Sequence, residues 1–329
     1  MTTADAVLVL TGAFDPTADL VIEELNRRGT PVFRADTAWF PSRLALSASL
    51  DGAAGWYGTL ATERRTLDLS AVRAVYYRRP TAPEFPESMS PEARGVASAE
   101  ARRGFGGLLS ALRCRWLPPP GRAADAEYKP FQLRVAAESG LRVPRTLITN
   151  DPEAAGEFAT GIGKPAVYKP FTPIRGTLDG CSVAVYASVL QPGDADHPSI
   201  STTAHLFQEW VPKAHEVRLT VVDDQLFAAE IHANSDAAQV DWRSDYDSLT
   251  YRVCEPPSEI TVGVRRMLER LALPYGAFDF VVSPSGEWTF LEVNPNGQYG
   301  FIEQATGLPI TAAICDYLEG STGHDQRPR

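Results

Sequence analysis

Three residues in the C-terminal part of the chain have side chains that can hold a divalent metal ion: Asp279, Glu292 and Asn294. Asp279 interrupts an apolar stretch at residues 277–282, and Glu292 interrupts a second one at residues 288–293. A carboxylate within an apolar strand costs free energy unless it is paired or holds a cation. Oxygen ligands of these types are the ones that Mg²⁺ prefers when it also binds nucleotide phosphates. Acids that face solvent or pair with Lys or Arg are the alternative interpretation.

The two stretches are predicted to form a β-hairpin. Pro284 and Gly286 lie between them and supply the backbone angles of a tight turn. Glu292 and Asn294 are two residues apart, so a strand would project both side chains to the same face. The pattern therefore predicts a magnesium site to which one strand contributes Asp279 and the other contributes Glu292 and Asn294.

The composition excludes several classes of protein. Of the 329 residues, 44% are apolar and 22% are charged, which is typical of a globular protein with two or three domains. A net charge of −10 argues against a nucleic-acid partner, because a dedicated surface for one needs an excess of basic residues. No stretch resembles a secretion signal or a membrane span, so we expect a cytoplasmic protein with no membrane partner. The four cysteines form no CxxC motif, and free thiols are expected.

Hydrophobic patterning predicts an α/β fold that begins with an open α/β domain over residues 1–122. Residues 6–11 and 31–34 are predicted strands on either side of a helix, which is a βαβ unit. No GxGxxG motif follows the first strand, so an NAD-dependent oxidoreductase is disfavoured. A helical pattern at residues 92–115 ends at a proline-rich break at residues 117–121, which is the predicted domain boundary.

Two more domains are predicted beyond this break, a small α/β domain over residues 123–204 and a strand-rich domain over residues 205–319. Residues 191–203 are predicted to form a mobile loop, and residues 320–329 a disordered tail. The other predicted elements are helices at 124–139, 152–159, 257–272 and 312–318 and strands at 44–50, 55–60, 74–77, 146–148, 166–169, 182–186, 206–211, 216–222 and 226–233.

Two lysines in the central part could bind phosphate. Lys129 lies in a predicted helix and Lys169 at the end of a predicted strand, beside a loop at residues 172–180 that contains Gly176. A lysine at a strand end can direct its charge at phosphate oxygens, and a glycine-containing loop can close over them with its backbone N–H groups. Taken alone, a lysine is more often a surface residue.

Polar residues that could serve a nucleotide and a transferred phosphoryl group follow downstream. Gln208, Glu209, Trp210 and Val211 end a predicted strand, where backbone groups and an acid could hydrogen-bond adenine and ribose. Glu216 and Arg218 are expected on one strand face, and Asp241 and Arg243 lie in a predicted loop. The two arginines could neutralise the charge that develops on a phosphoryl group, although structural ion pairs explain them equally well.

The order of these motifs resembles the ATP-grasp superfamily. Lys129, YKP with its glycine loop, QEWV, ExR, FDF and LEVNPNG follow one another over about residues 117–318. The resemblance implies a three-domain fold with an N-terminal α/β domain, a central lid domain and a C-terminal antiparallel-sheet domain. It also implies that Lys129 and Lys169 contact the phosphates of ATP, that residues 208–211 and Glu216 flank the adenosine, and that Mg²⁺ is bound by the three hairpin residues. The chemistry implied is attack of a carboxylate on the γ-phosphate, which gives an acyl phosphate and ADP.

Further segments are similar to the graspetide (microviridin-type) synthetases within this superfamily: YYRRP, LRVPRTLITNDP, VDWR and LEVNPNGQYGFIE. This resemblance implies a leader-bearing precursor peptide as the partner, cross-links from Asp or Glu to Ser, Thr or Lys side chains, and a homodimer. His232 and Asp241 are candidates for the group that takes a proton from the incoming nucleophile, although His232 is more often a packed or exposed histidine. The alternatives are a ligase that adds a free amino acid to a peptide or small acid, and a nucleotide-binding protein without activity. In one departure from the expected pattern, a proline follows Lys129, which puts the local helix start in doubt.

Overall fold

The computed structural model describes residues 5–52, 55–171, 174–178, 181–185, 187–235, 238 and 242–321. Eighteen strands are present in these ranges: β1 Ala6–Leu10, β2 Val32–Ala35, β3 Ala45–Leu50, β4 Trp56–Ala61, β5 Thr66–Asp68, β6 Val72–Tyr77, β7 Arg115–Leu117, β8 Thr146–Thr149, β9 Ala166–Lys169, β10 Ile174–Leu178, β11 Cys181–Val185, β12 Ser188–Val189, β13 His205–Glu209, β14 His215–Val222, β15 Gln225–Ala233, β16 Leu249–Val253, β17 Tyr275–Val282 and β18 Trp288–Asn294. The α-helices described are α1 Pro16–Arg27, α2 Pro91–Ser110, α3 Pro120–Ala126, α4 Lys129–Glu138, α5 Pro152–Gly161, α6 Ser258–Leu271, α7 Gly300–Thr306 and α8 Ile310–Glu319.

The first part of the chain forms a parallel sheet in the order β2-β1-β6-β7. All five residues of β1 are buried, as expected for a strand that is covered on both faces. Helix α1 begins after Asp15, whose side chain accepts hydrogen bonds from the backbone N–H groups of Thr17 and Ala18. The predicted βαβ unit is confirmed.

The prediction of one helix over residues 92–115 is wrong at its C-terminal end. Helix α2 ends at Ser110, and Arg115–Leu117 forms β7 beside β6. Leu108, Leu109 and Leu112 are buried in the same cluster as strand residues, so the C-terminal end of α2 and the residues after it pack against the sheet. The backbone groups along the outer edge of β6 hydrogen-bond to β7, which favours a strand there. No local sequence pattern indicates that this edge is available.

The central part contains a sheet in the order β12-β9-β13-β8 and the hairpin β10–β11. The single helix predicted at residues 124–139 is two helices, α3 and α4, because Pro130 sits in the first turn of α4. Residues 191–203, for which a mobile loop is predicted, contain two short 3₁₀ helices whose Ala195 and Ile200 are buried. Most of the loop predicted at residues 172–180 is β10, where Gly176 pairs with Val183. Residues 172–173 and 179–180 lie outside the described residues, as does 322–329 of the predicted tail.

The C-terminal part is built on an antiparallel sheet in the order β16-β15-β14-β17-β18. One face of this sheet packs on α4 and α6 through a cluster that includes Phe278, Phe280 and Met267. The other face shares a core with β1, α1 and α8, in which Tyr275 and Ile314 are buried. The predicted hairpin of β17 and β18 is confirmed, whereas β16 and α7 are not foreseen by the sequence pattern.

Candidate active site

The predicted metal ligands lie in one row across the C-terminal sheet. Arg218 on β14 is directly opposite Asp279 on β17, and Asp279 is directly opposite Glu292 on β18. Because directly opposed residues project to the same face, the three side chains stand side by side. The strand register shifts immediately after Asp279, where β18 has one residue more than β17. This bulge locally reorients β18 next to Glu292.

Asp279, Glu292 and Asn294 converge on one point. The Asn294 side-chain amide lies 3.5 Å from Asp279 Oδ2 and 3.4 Å from Glu292 Oε1. Arg218 Nε lies 3.2 Å from Asp279 Oδ1. Glu292 forms ion pairs with Lys129 and with Arg243, the latter over 3.1 Å. The structure therefore brings the three candidate ligands together and surrounds them with cations.

Burial and charge shift the pKa values of the two acids in opposite directions. Burial raises the pKa of Asp279 to about 6, although Arg218 acts to lower it. Burial also acts to raise the pKa of Glu292, but Lys129 and Arg243 outweigh it and hold that pKa well below its usual range. Two neighbouring acids whose pKa values are driven apart are typical of a functional site.

The cationic side chains around the acids come from separate elements. Lys129 is the first residue of α4, and Lys169 is the last residue of β9. Burial lowers the pKa of Lys169 to about 8, although nearby Glu292 raises it. Arg218 is buried and lies over the rings of Trp242 and Phe301, with its Cζ 5.4 and 5.8 Å from the two centroids. Arg243 Cζ lies 5.7 Å from the Trp242 centroid, so one indole orders two guanidinium groups.

These residues line one cleft of about 1430 Å³, to which the first, central and C-terminal parts of the chain all contribute. Its described lining includes Lys129, Lys169, Glu216, Arg218, Arg243, Asp279, Glu292 and Asn294. Six cationic and five acidic residues contribute to that lining, although the protein as a whole carries a net charge of −10. The cleft is therefore locally suited to an anionic ligand.

The arginines of the YYRRP motif have a role that sequence reasoning misses. Arg78 is buried and donates hydrogen bonds from Nη1 to the carbonyl oxygens of Asn296 and Gly297, each over 3.2 Å. Its Nε lies 3.4 Å from Asp15 Oδ2. Arg78 thus ties the first sheet to the loop that follows the metal-ligand strand. Trp242 and Phe301 are also missed, although aromatic residues beside Arg243 and Gly300 in the sequence are a signal that could have been used.

Two groups of predicted residues lie apart from the described lining of the cleft. Gln208 is buried at the end of β13, and its Nε2 donates to Thr146 Oγ1 over 3.0 Å. Glu209 pairs with Lys164 over 3.6 Å, and the Lys213 ammonium lies 5.8 Å from the Trp210 ring centroid. Val211 continues this connection between β13 and β14.

His232 lies on the opposite face of the sheet from Arg218. Its neighbour Ile231 packs in the core on the cleft side, so the alternation of side chains along β15 turns His232 away. The structure therefore does not bring His232 together with the cleft residues, and the proton-accepting role is not assigned to it. Asp241, the other candidate for that role, lies outside the described residues.

Comparison with known proteins agrees with this fold. Residues 6–123 match the family described as the MvdD pre-ATP grasp domain. A RiPP-associated ATP-grasp ligase from Chryseobacterium gregarium, solved with ADP and with a leader and core peptide, is 27% identical, with a TM-score of 0.90 over 99% of this chain and 100% of that one. The macrocyclase MdnC from Microcystis aeruginosa MRC, solved with the precursor peptide MdnA, is 29% identical, with a TM-score of 0.84 over 96% and 100%.

The macrocyclase MdnB from the same organism is 30% identical, with a TM-score of 0.79 over 95% of this chain and 99% of that one. Among curated proteins, mouse N-acetylaspartylglutamate synthase A is 22% identical over 215 residues, and the chain spans 55% of its length. The fold and the charged cleft define an ATP-grasp ligase. More narrowly, the chain belongs to the family of RiPP-associated ATP-grasp ligases (RiPP, ribosomally synthesised and post-translationally modified peptide) that includes MdnB.

Proposed function

We propose that this ATP-dependent ligase activates Asp or Glu side chains of a ribosomally made precursor peptide as acyl phosphates. It then joins them to Ser or Thr hydroxyls or to Lys amines of the same peptide. The observation that carries the proposal is the row of Arg218, Asp279 and Glu292 in the cleft, with Lys129 and Arg243 held on Glu292. Family members solved with a leader and core peptide or with a precursor peptide support this class of substrate.

The donor set fits magnesium. Asp279, Glu292 and Asn294 offer two carboxylates and a side-chain amide whose Nδ2 lies within 3.5 Å of both carboxylates. Rotation of that amide would present its oxygen instead, and Mg²⁺ prefers such hard oxygen ligands. We propose that these three residues hold the ion. Magnesium bound there supplies positive charge that offsets the charge of the triphosphate.

The cations of the cleft have distinct roles in this reaction. Lys129 and Lys169, on separate elements of the central part, would contact the phosphates of ATP. Arg218 and Arg243, both stacked on Trp242, would stabilise the charge on the transferring phosphoryl group and on the tetrahedral intermediate. The substrate carboxylate attacks the γ-phosphate and ADP leaves. The nucleophile then attacks the acyl carbon, loses its proton and displaces phosphate.

The wider assignments rest on the resemblance to ATP-grasp ligases. Residues 208–211 and Glu216 would flank the adenosine, and the backbone of β10 at Gly176 would lie in a lid over the phosphates. We propose three domains, at residues 1–122, 123–204 and 205–319, and a homodimer in the cytoplasm, where ATP is available. No helix within the described ranges combines the length and the apolar character needed to cross a membrane.

The test is to incubate the purified chain with an acidic, Thr- or Lys-containing peptide encoded beside its gene, in the presence of ATP and Mg²⁺. Mass spectrometry should show the loss of one water for each bond formed, and ADP should be released in equal amount. Omission of either ATP or Mg²⁺ should leave the peptide unchanged.

A gain in mass equal to an amino-acid residue would instead identify an intermolecular ligase, the kind of reaction that the name of the mouse relative indicates for that protein. Unchanged peptides with no release of ADP, across all acidic peptides encoded nearby, would contradict ligase activity and favour a nucleotide-binding protein.

A further inference from the structure

A second cluster of metal-binding side chains lies on the face of the C-terminal sheet that is turned away from the cleft. It consists of His215 at the start of β14 and Glu230 and His232 near the end of β15. Glu216 pairs with Ile231, so the next residues outward, His215 and His232, are neighbours, and their ring centroids are 5.1 Å apart. Glu230 and His232 are two residues apart on one strand and therefore share this face.

The potential ligand atoms of the cluster are close together. His232 Nε2 lies 2.7 Å from Glu230 Oε2, and His215 Nε2 lies 3.9 Å from Glu230 Oε1. One ligand atom from each of the three residues lies within 4.8 Å of the others. In a tetrahedral zinc site the metal–ligand distances of about 2.0–2.2 Å place ligand atoms roughly 3.4 Å apart. The observed separations bracket that value, so small side-chain movements would complete the geometry.

The chemistry of these ligands differs from that of the cleft. Two imidazole nitrogens and one carboxylate oxygen suit Zn²⁺ and related transition metals, whereas Mg²⁺ takes oxygen ligands. Three protein ligands leave a position for water or another molecule. The three side chains are 18%, 10% and 36% exposed, so an ion can enter from solvent while its ligands stay largely ordered.

One cation competes with a metal for this cluster. Arg252 on β16 donates two hydrogen bonds to the Glu230 carboxylate, over 2.9 and 2.8 Å. Its side chain is 71% exposed, so water can solvate the guanidinium group when it leaves the carboxylate. Arg252 can therefore move into solvent when a divalent ion takes its place.

We propose that His215, Glu230 and His232 form a binding site for a divalent transition metal such as Zn²⁺, separate from the magnesium site. Strand β14 begins soon after residues 208–211, and β15 leads into the segment that carries Trp242 and Arg243. An ion bound between β14 and β15 fixes the ends of both strands, from which these segments extend. The site is structural, because it lies on the face of the sheet opposite the reacting groups.

The test is a titration of the full chain with Zn²⁺ after treatment with a chelator, with Mg²⁺ and ADP present at saturation so that the cleft is occupied. One equivalent of Zn²⁺ should bind. His215→Gln and His232→Gln should each weaken binding by more than about tenfold. The control His197→Gln changes an exposed histidine of the central part and should bind Zn²⁺ like the wild type. Arg252→Gln should bind it more tightly, because the competing cation is gone.

X-ray absorption at the zinc edge of the wild-type complex provides a check that needs no variant, and two imidazole ligands are expected. Zn²⁺ should also raise the Tm of the wild type and of H197Q but not of H215Q or H232Q, because an ion that binds only the folded state stabilises it. The proposal is overturned if no equivalent of Zn²⁺ binds, if binding survives both histidine substitutions, or if R252Q binds Zn²⁺ no more tightly than the wild type.

Discussion

The two faces of the C-terminal sheet are made of the same strands but bury opposite kinds of side chain. Along β17, Asp279 faces the cleft while Phe278 and Phe280 on either side of it face the opposite core. The aromatic face packs on α4 and α6, whereas the cleft face carries the acids and cations of the proposed reaction. Side chains alternate along a strand, so neighbouring residues face opposite sides of the sheet. One residue therefore packs in the core while the next one lies in the cleft. The comparison predicts that substitutions on the two faces have separable effects on stability and on catalysis.

The largest effect on catalysis is expected from Glu292→Gln on the cleft face. The substitution removes a proposed metal ligand and the partner of Lys129 and Arg243, so ADP formation should fall by about 1,000-fold, as when a transition-state contact is lost. The measurement is ADP release with a precursor peptide that the wild-type enzyme cross-links. Glu287→Gln in the exposed turn of the same hairpin is the matched control and should retain full activity. Full activity of E292Q would disprove the metal assignment.

Substitutions on the opposite, aromatic face are expected to lower the free energy of unfolding rather than the catalytic rate. Phe280 is fully buried and contacts the rings of Phe278, Trp288 and Phe290, so Phe280→Ala should lower the free energy of unfolding by about 3–5 kcal/mol. Urea unfolding measures this change, and the rate per folded molecule should stay within about twofold of the wild type. Phe14→Ala changes a side chain that is 88% exposed and serves as the control, with little expected effect. A fall in rate as large as that of E292Q would mean that the faces are not separable.

Substitution of Gly297, which lies against both a core residue and a proposed metal ligand, should affect stability as well as catalysis. Gly297 follows the ligand strand, and a Cβ atom there would lie 2.4 Å from Ala277 Cβ and 3.1 Å from Asn294 Cβ. Gly297→Ala must displace β17 or Asn294, so we expect a loss of 1–3 kcal/mol in stability and an about 10- to 100-fold loss in rate. Gly104→Ala in α2 has open space around it and should slightly stabilise the protein. If G297A keeps wild-type kinetics, the position of Asn294 is not critical.

The smallest expected effect is on the pH dependence of stability, through the raised pKa of the buried Asp279. The folded-state pKa of Asp279, about 6, is above its ordinary value of 3.8, so the folded state binds a proton more readily than the unfolded state. Stability therefore rises as pH falls from about 6 towards 4, by roughly 1 kcal/mol per pH unit from this group. Asp279→Asn cannot titrate, so any stability advantage it has over the wild type at pH 7 should shrink by pH 5. Urea unfolding at both pH values without Mg²⁺ measures the difference. A difference that does not change with pH would contradict the raised pKa.

Sequence reasoning could locate the hairpin and its acids because both signals are local. An acid within each of two apolar runs and a Pro-Gly turn between them suffice to predict β17, β18 and the shared face of Glu292 and Asn294. The proline after Lys129 puts the local helix start in doubt in the sequence, and in the structure helix α4 begins at Lys129 with Pro130 in its first turn. These features depend on residues a few positions apart, where backbone propensity and side-chain alternation decide the outcome.

Other features depended on the tertiary structure, because their causes lie far apart in the chain. Arg78 binds carbonyl groups more than 200 residues away, and β7 is a strand only because β6 offers it an open edge. His232 is one residue away from the cleft face, and the register of β14 and β15 sends it to the other side. A sequence pattern shows which residues alternate along a strand, but it does not show which face of the sheet lines the cleft. Packing decides this, because the apolar face packs against α4 and α6 and the charged face then lines the cleft.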